Sequence, residues 1–423
     1  MSQELLFLCH RIPFPPDKGD KIRSHALLAH FAARQRVHVA CFIDDPADWR
    51  HVKSVQNLAG GECIFVKLRP MLARAASLDA LLTGRPLTTS YFRSMAIDRW
   101  LTRLVAAGRV DQAVVFGSAM APYILGRRDI DPARALFDMV DLDSDKWRQY
   151  GATGPWPKRW LYRREARTLL RLEREAARRF GATVLISPHE VASFGAEAPE
   201  SASRLHSISN GVDPARFSPK RQQPNVFPAG VVPIVMTGAM DYRPNIEGAR
   251  WFVDAILPRL LPLLPAAHFF VVGANPPPAL KALAGPHVTV TGRVPDVQPY
   301  LAHAAAVVAP LQIARGLQNK VIEGMAMARP VVATWEAARA LAAIPGEDLW
   351  VETEPDRFAA AVLAAATGPD RDRIARNGRL YVERHHDWSR NLSVMDALLH
   401  EIGQSAEARG IIQQPDTMAA VSG

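Results

Sequence analysis

Lys320 and Glu323 stand three residues apart in the run Ala314-Arg315-Gly316-Leu317-Gln318-Asn319-Lys320-Val321-Ile322-Glu323, where a glycine-containing loop enters a helix. That spacing projects both side chains from one helix face. The N–H groups at a helix start can receive a phosphate unaided. A cation and a carboxylate there suit a nucleoside diphosphate, with Lys320 against the pyrophosphate and Glu323 accepting from the two ribose hydroxyls. The competing reading is a surface ion pair, worth little. A second group of acids, Asp138, Asp141, Asp143 and Asp145, clusters around the end of the apolar run Ala135–Val140. Asp138 or Asp141 could orient substrate hydroxyls, whereas Asp143, Ser144 or Asp145 fits the cap of the following helix. Gly19, between the first strand and the first helix, allows a close backbone approach to ligand, or simply makes a turn.

Other chemistries find little support. His10, His25, His189, His385 and His386 lack metal-ligand spacing such as HExxH, so no structural or catalytic metal is expected. No GxSxG occurs, and Ser187-Pro188 is not a nucleophile elbow. The three cysteines form no CxxC pair, which suits a reducing cytoplasm. The net charge of +9 comes without a basic-aromatic recognition module, so nucleic acid is not the expected partner. An anionic lipid surface or an anionic substrate fits better. Arg163, Arg167, Arg171, Arg174 and Arg178 recur every three or four residues, opposite Tyr162, Ala166, Leu169, Ala176 and Phe180. That stripe suits anionic membrane or a lipid-phosphate acceptor, or else it is an ordinary solvated helix face.

The elements that must position these groups alternate along the chain. Leu5–Cys9, a helical stretch over Lys21–Arg34 and Val37–Phe42 make a βαβ unit, which implies a parallel sheet. Further strands are expected at Cys63–Leu68, Ala113–Phe116, Ala135–Val140 and Thr183–Ser187. Pro214, Pro219, Pro224, Pro228 and Pro233 then punctuate a stretch unfit for a long helix or central strand. The alternation resumes with Ile234–Thr237, His268–Val272, Val288–Thr291, Ala306–Ala309 and Val331–Ala333. At 423 residues the chain is long enough for two domains. The expected layout is a Rossmann-like domain over 1–213, a linker over 214–233, a second Rossmann-like domain over 234–387, a helix over 388–403 returning to the first domain, and a disordered tail over 404–423. No run is long and apolar enough to span a membrane, and no signal peptide is read at the N-terminus. A doubly wound α/β fold binds ligands outside the carboxyl ends of its strands, which here implies an interdomain cleft.

The run ending in Gly324-Met325-Ala326-Met327-Ala328-Arg329-Pro330-Val331-Val332 resembles the donor-site signature of retaining glycosyltransferase family 4, of GT-B fold. So do Ile208-Ser209-Asn210-Gly211-Val212-Asp213 with Phe217, Val290-Thr291-Gly292-Arg293-Val294, and Ala309-Pro310. The opening Arg11-Ile12-Pro13-Phe14-Pro15-Pro16-Asp17-Lys18-Gly19-Asp20-Lys21-Ile22-Arg23 is similar to sugar transferases of exosortase (PEP-CTERM)-associated exopolysaccharide clusters. Asp143-Ser144-Asp145-Lys146-Trp147 and Gly238-Ala239-Met240-Asp241-Tyr242 share that likeness. The resemblance implies a donor site drawn from Gly19, Gly238, Arg243, Arg293, Arg315, Gly316, Leu317, Asn319, Lys320 and Glu323, with Asp138, Asp141 and Lys320 as the catalytic candidates. Two departures stand out. Arg315 occupies the place of the first glutamate of the family's pair, and Gly238 is followed by Ala239-Met240-Asp241 where the family carries basic residues, with Arg243 nearby as a substitute.

The resemblance therefore implies a retaining, metal-independent transferase without a cofactor, moving sugar from a nucleotide sugar to a lipid-linked or saccharide acceptor. It would work in the cytoplasm, peripherally on the inner membrane face. Asp141-Leu142-Asp143 also spells the DxD metal motif of GT-A enzymes, but the two-domain pattern is wrong for that fold. The alternatives are a sugar-nucleotide 2-epimerase and a non-catalytic scaffold of polysaccharide assembly.

Overall fold

In the computed structural model, residues 4–16, 19–153, 156, 158–314 and 316–412 are described. The chain divides into two compact units; the first ends at Ile208 and resumes at Leu392, and the second is Ser209–Asn391. Each is built on a parallel sheet. The first has seven strands, β1 (Glu4–Cys9), β2 (Arg36–Ile43), β3 (Gly60–Lys67), β4 (Gln112–Phe116), β5 (Ala135–Val140), β6 (Ala182–Leu185) and β7 (Leu205–Ser207), in the order β3-β2-β1-β4-β5-β6-β7. The second has β8 (Val232–Thr237), β9 (Ala267–Val272), β10 (Val288–Gly292), β11 (Ala306–Ala309), β12 (Val331–Ala333) and β13 (Trp350–Val351), in the order β10-β9-β8-β11-β12-β13. The central strands are apolar runs buried on both faces, as parallel sheets covered by helices require; Leu6, Phe7, Leu8, Ile234, Val235 and Met236 are all fully buried. The two Rossmann-like α/β domains expected from the alternation are present.

Both sheets reverse their strand order beside the first strand of the domain, between β1 and β4 and between β8 and β11. Within each sheet, the carboxyl ends of its own two strands flank the position where such sheets bind ligands.

Two boundaries differ from the sequence reading. The proline-rich stretch expected as a linker packs on the second domain. Phe217 is buried, Arg379 donates to the carbonyls of Pro214 and Phe217, and Pro233 lies within β8 with its carbonyl accepting from Ala305 N at 2.8 Å. The prolines are accommodated because most lie outside the sheet ladder. The last helix continues from Trp388 to Ile412, past the expected end at 403, and residues 413–423 of the expected tail lie outside the described residues. Beyond Leu392 this helix belongs to the first unit: Asp396 meets His30 Nε2 at 2.8 Å and the carbonyl of Leu399 accepts from Gln112 Nε2.

Candidate active site

The second domain carries the candidate phosphate site. Its helix Asn319–Ala326 follows Gly316, whose φ of 57° lies in the left-handed region, and buries Val321, Ile322 and Met325. Gln318 at its N-cap provides no side-chain cap. The N–H groups of Val321 and Ile322 turn back to the Gln318 carbonyl, at 2.9 and 3.4 Å, so a ligand would meet the N–H groups of Asn319 and Lys320 ahead of them. Lys320 is 8% exposed, and its ammonium donates to Asn245 Oδ1 at 3.0 Å. Asn245 in turn donates to the carbonyl of Ala239 at 2.8 Å, in the loop that leaves β8. Gly238 starts that loop with φ 152°, and a Cβ on it would lie 2.7 Å from Asn245 Nδ2 and 3.5 Å from Lys320 Cε. The next strand end is tighter, because a Cβ on Gly273 would fall 1.7 Å from the Gly238 carbonyl oxygen. Two side-chain-free residues therefore keep the carboxyl end of β8 open around the lysine.

Burial pushes Lys320 down to about 8, with Glu323 acting the other way. Burial pushes Glu323 up to about 7, opposed by Lys320 and Arg216. Glu323 is half-buried, and no ion pair within 4 Å joins it to Lys320. The surface ion pair considered from sequence is therefore not formed; the lysine is held by Asn245 instead. Asn319 Oδ1 is buried and makes no hydrogen bond among the described residues.

The remaining donor candidates are spread along the same edge of this sheet. Leu317 is 7% exposed in the loop before the helix. Arg293 follows β10 and is exposed, next to Gly292, whose carbonyl accepts from Gly273 N at 3.2 Å. Arg243 heads the helix Arg243–Trp251 and is exposed, its Nε bonded to Glu247 at 2.7 Å. Arg315 lies outside the described residues. Asn245 and Arg216 were not anticipated. Asn245 lay in plain view, one turn into a helix that follows a strand-end glycine.

In the first domain the two candidate aspartates have different fates. Asp138 is completely buried, taking Arg23 Nε at 2.8 Å and Nη2 at 3.1 Å, while Arg23 Nη1 reaches the carbonyl of Ile208 at 2.9 Å. It anchors the first helix to the sheet, and the catalytic reading of Asp138 is withdrawn on that geometry. Asp141, just beyond β5, keeps a buried Oδ1 without a hydrogen-bond partner among the described residues. Burial, then Glu190 and Asp143, push it up to about 7 against Arg23 and Lys146. Glu173 is fully buried and pushed up to about 8, mainly by burial; it accepts from Ser118 Oγ at 3.1 Å and Ser144 N at 3.2 Å. Among the described residues no group of three or more His, Cys, Asp or Glu could hold a metal ion. Asp143 begins the helix Asp143–Thr153. Gly19 is exposed, and a Cβ there would meet no atom within 4 Å, so packing within the chain does not demand a glycine.

Two parallel Rossmann-like domains, the second with a buried lysine and an uncapped helix at its switch point, make the architecture of a GT-B glycosyltransferase. Residues 232–367 match the family described as Glycosyl transferases group 1, so the second domain is a group 1 glycosyl transferase domain and the chain a glycosyltransferase. Among solved structures it is similar to Anabaena Alr3699/HepE in complex with UDP, at 16% identity over 96% of this chain and 100% of that one, TM-score 0.64. It is also similar to sucrose-phosphate synthase (tll1590) from Thermosynechococcus elongatus, at 18% identity over 97% and 100% of the two chains, TM-score 0.63. A third is WaaG, a glycosyltransferase involved in lipopolysaccharide biosynthesis, at 16% identity over 93% and 99%, TM-score 0.65. At these identities the likeness establishes the fold. No curated protein sequence matches the chain.

Proposed function

We propose that the protein transfers a sugar, with retention, from a nucleoside diphosphate sugar to a hydroxyl of a lipid-linked or growing polysaccharide acceptor, without a cofactor or a divalent metal. The observation that carries this reading is the buried Lys320 ammonium, held by Asn245 beside Gly238 and next to an uncapped helix start. The bond from the anomeric carbon to the diphosphate breaks as the bond to the acceptor oxygen forms, and the acceptor proton passes to the departing diphosphate. The charge growing on the leaving diphosphate is met by Lys320 and the helix N–H groups, which are worth most when preorganised in a dry site. Glu323 accepts from the ribose diol. Asp141, titrating close to neutrality, serves the acceptor hydroxyl or the oxocarbenium-like centre. Burial, and then its acid neighbours Glu190 and Asp143, keep it from being a permanent anion.

The same reading places the enzyme in the cytoplasm, seated on the inner membrane face, in the exopolysaccharide pathway of the exosortase-associated clusters. Arg163, Arg167, Arg171, Arg174 and Arg178 are exposed along the helix Lys158–Arg179. The segment Pro70–Thr83 beside it leaves Met71 84% and Leu82 93% exposed, an apolar surface among basic residues of the kind that seats on anionic lipid. No helix among the described residues is long and apolar enough to cross a membrane.

The test is a panel of sugar nucleotides, scored by thermal shift and by nucleoside diphosphate release with and without saccharide or lipid-phosphate acceptors. UDP-sugars come first, because HepE, alike in fold, is crystallised with UDP. Acceptor-dependent release supports the transferase reading. Conversion of the sugar nucleotide without acceptor would establish an epimerase, and saturable binding without any turnover a scaffold.

A further inference from the structure

At the amino edge of the second sheet, opposite the edge where Gly238 follows β8, lies a pocket of about 570 Å³. Its walls are the residues that lead into β11 and β12 and the segment after Pro219. Three guanidinium groups line it, Arg221, Arg329 and Arg371, together with Gln222, Gln223 and His303. Arg221 is exposed, whereas Arg329 and Arg371 are partly buried. The Nε atoms of Arg329 and Arg371 are both buried and make no hydrogen bond among the described residues.

Arginines used to brace this protein look different. Arg379 sends its guanidinium to the carbonyls of Pro214, Phe217 and Ala326, and Arg23 is saturated by Asp138 and the carbonyl of Ile208. Arg371 has the carbonyl of Ala366 at 3.2 Å, and its Nε lies 3.4 Å from Asp372 Oδ1 without hydrogen-bond geometry. Arg329 makes no side-chain hydrogen bond at all among the described residues. Burial and then Arg371 depress its affinity for the proton, with Asp372 opposing. Two cations are therefore held close with unused donors, and the exposed carboxylate of Asp372 is the anion nearby. Planar guanidinium forks match phosphoryl and carboxylate oxygens in bidentate fashion. The remaining wall is mixed: Pro219, Ala302, Ala304 and Ala305 supply apolar surface, while His303 Nε2 lies 2.8 Å from the Gln223 carbonyl and Gln223 Nε2 reaches Gln298 Oε1 at 3.3 Å. The volume exceeds that of a bare oxyanion and falls within the range of small-molecule sites.

We propose that this pocket is a second anion site, separate from the nucleotide site, which takes the phosphoryl group of a small phosphorylated saccharide between Arg221, Arg329 and Arg371. The proposal does not depend on the identity of the donor.

The full chain is titrated calorimetrically with inorganic phosphate and with glucose 6-phosphate, at ionic strength held constant with chloride. Wild type is compared with Lys320→Ala, Arg329→Gln, Arg371→Gln and the exposed-site variant Arg221→Gln. Saturable binding is expected in wild type and Lys320→Ala, weakened at least tenfold in Arg329→Gln and Arg371→Gln and by a smaller factor in Arg221→Gln. Tighter binding of glucose 6-phosphate identifies the saccharide as the carrier. Equal affinities keep the anion site and assign it to free phosphate. Binding lost in Lys320→Ala but intact in the arginine variants would return the anion to the nucleotide site and overturn the proposal, as would no binding above that of chloride. Should Arg329→Gln fail to fold, Arg221→Gln and the charge-preserving Arg329→Lys decide the matter.

Discussion

Replacing Glu323 by Gln tests the nucleotide assignment most directly, because it keeps the shape of the side chain and removes its charge. A hydrogen bond to a charged acceptor is worth about 1.5–3 kcal/mol. At about 1.4 kcal/mol per factor of ten, Glu323→Gln should weaken nucleoside diphosphate binding about tenfold or more. The structure adds a pH dependence to that figure. With its carboxyl pushed up to about 7, Glu323 is an anion at pH 8 and mostly a neutral acid at pH 6. A neutral acid resembles Gln, so the penalty should be largest at pH 8 and shrink towards pH 6. A second effect runs the same way. Glu323 raises the proton affinity of Lys320, which burial has already pushed down to about 8. Its removal lets more of the lysine lose its charge at pH 8. Calorimetric titration of UDP into wild type and variant at both pH values, with melting curves to confirm folding, reads both effects. Equal affinities at pH 8 would refute the assignment and leave Glu323 as a half-buried acid without a ligand.

Lys320→Ala should lower turnover more than ground-state donor affinity, since the diphosphate charge grows in the transition state; steady-state kcat and KM beside calorimetric Kd separate the two. The pH profile of kcat/KM should be bell-shaped, rising as Glu323 ionises about 7 and falling as Lys320 loses its proton about 8, and the rising limb should change in Glu323→Gln. These apparent values belong to the coupled pair rather than to either residue alone. Turnover should survive EDTA treatment; activity restored only by Mg²⁺ or Mn²⁺ would instead implicate Asp141 and Asp143. Binding to anionic vesicles should fall about a hundredfold at low salt when Arg167, Arg171 and Arg178 are replaced by Gln, at about 1 kcal/mol per basic residue. Arg174 is left out because Glu200 already holds it at 2.9 Å, and salt-insensitive binding would remove the electrostatic role of this face.

Much of the fold was legible because parallel strands buried on both faces are continuous apolar runs, and these runs alternate with helical stretches along the chain. What the pattern missed was short or at an edge. β7 is Leu205–Ser207 and β13 is Trp350–Val351, too brief to carry periodicity. The proline-rich stretch misled for a physical reason. Prolines exclude a helix or a central ladder position, but they do not prevent a segment from being packed and hydrogen-bonded through its carbonyls, as Pro214, Phe217 and Gln223 are. Local spacing likewise placed Lys320 and Glu323 on one short helix. It could not show that the partner of the lysine is Asn245, seventy-five positions earlier in the chain.

The aspartates at the end of β5 mark the sharper limit of sequence reasoning, and their resolution comes from the backbone. Sequence shows Asp138 and Asp141 as equals, two carboxylates at a strand end. Asp138 still lies in the ladder, pairing with Phe116 on one side and Val184 on the other, so its side chain points into the packed face where Arg23 receives it. Val140 breaks the alternation: its φ of 68° puts a β-branched residue in the left-handed region, and the register with β6 shifts between Asp138 and Val140. Such a conformation costs about 1–3 kcal/mol and persists only where its surroundings over-determine it. They do so here, since the Val140 carbonyl accepts from Ile186 N at 2.8 Å and Leu142 N is held by Glu190 at 3.1 Å. The kink takes Asp141 out of the ladder and sets it among Asp143, Glu190 and Lys146, where burial and like charge bring its titration to about 7. A strained turn fixed at both ends sets Asp141, whose Oδ1 makes no hydrogen bond among the described residues, beside Asp138, whose two carboxylate oxygens Arg23 holds. That difference in hydrogen bonding is why the proposed reaction gives Asp141, and not Asp138, a part in the first domain.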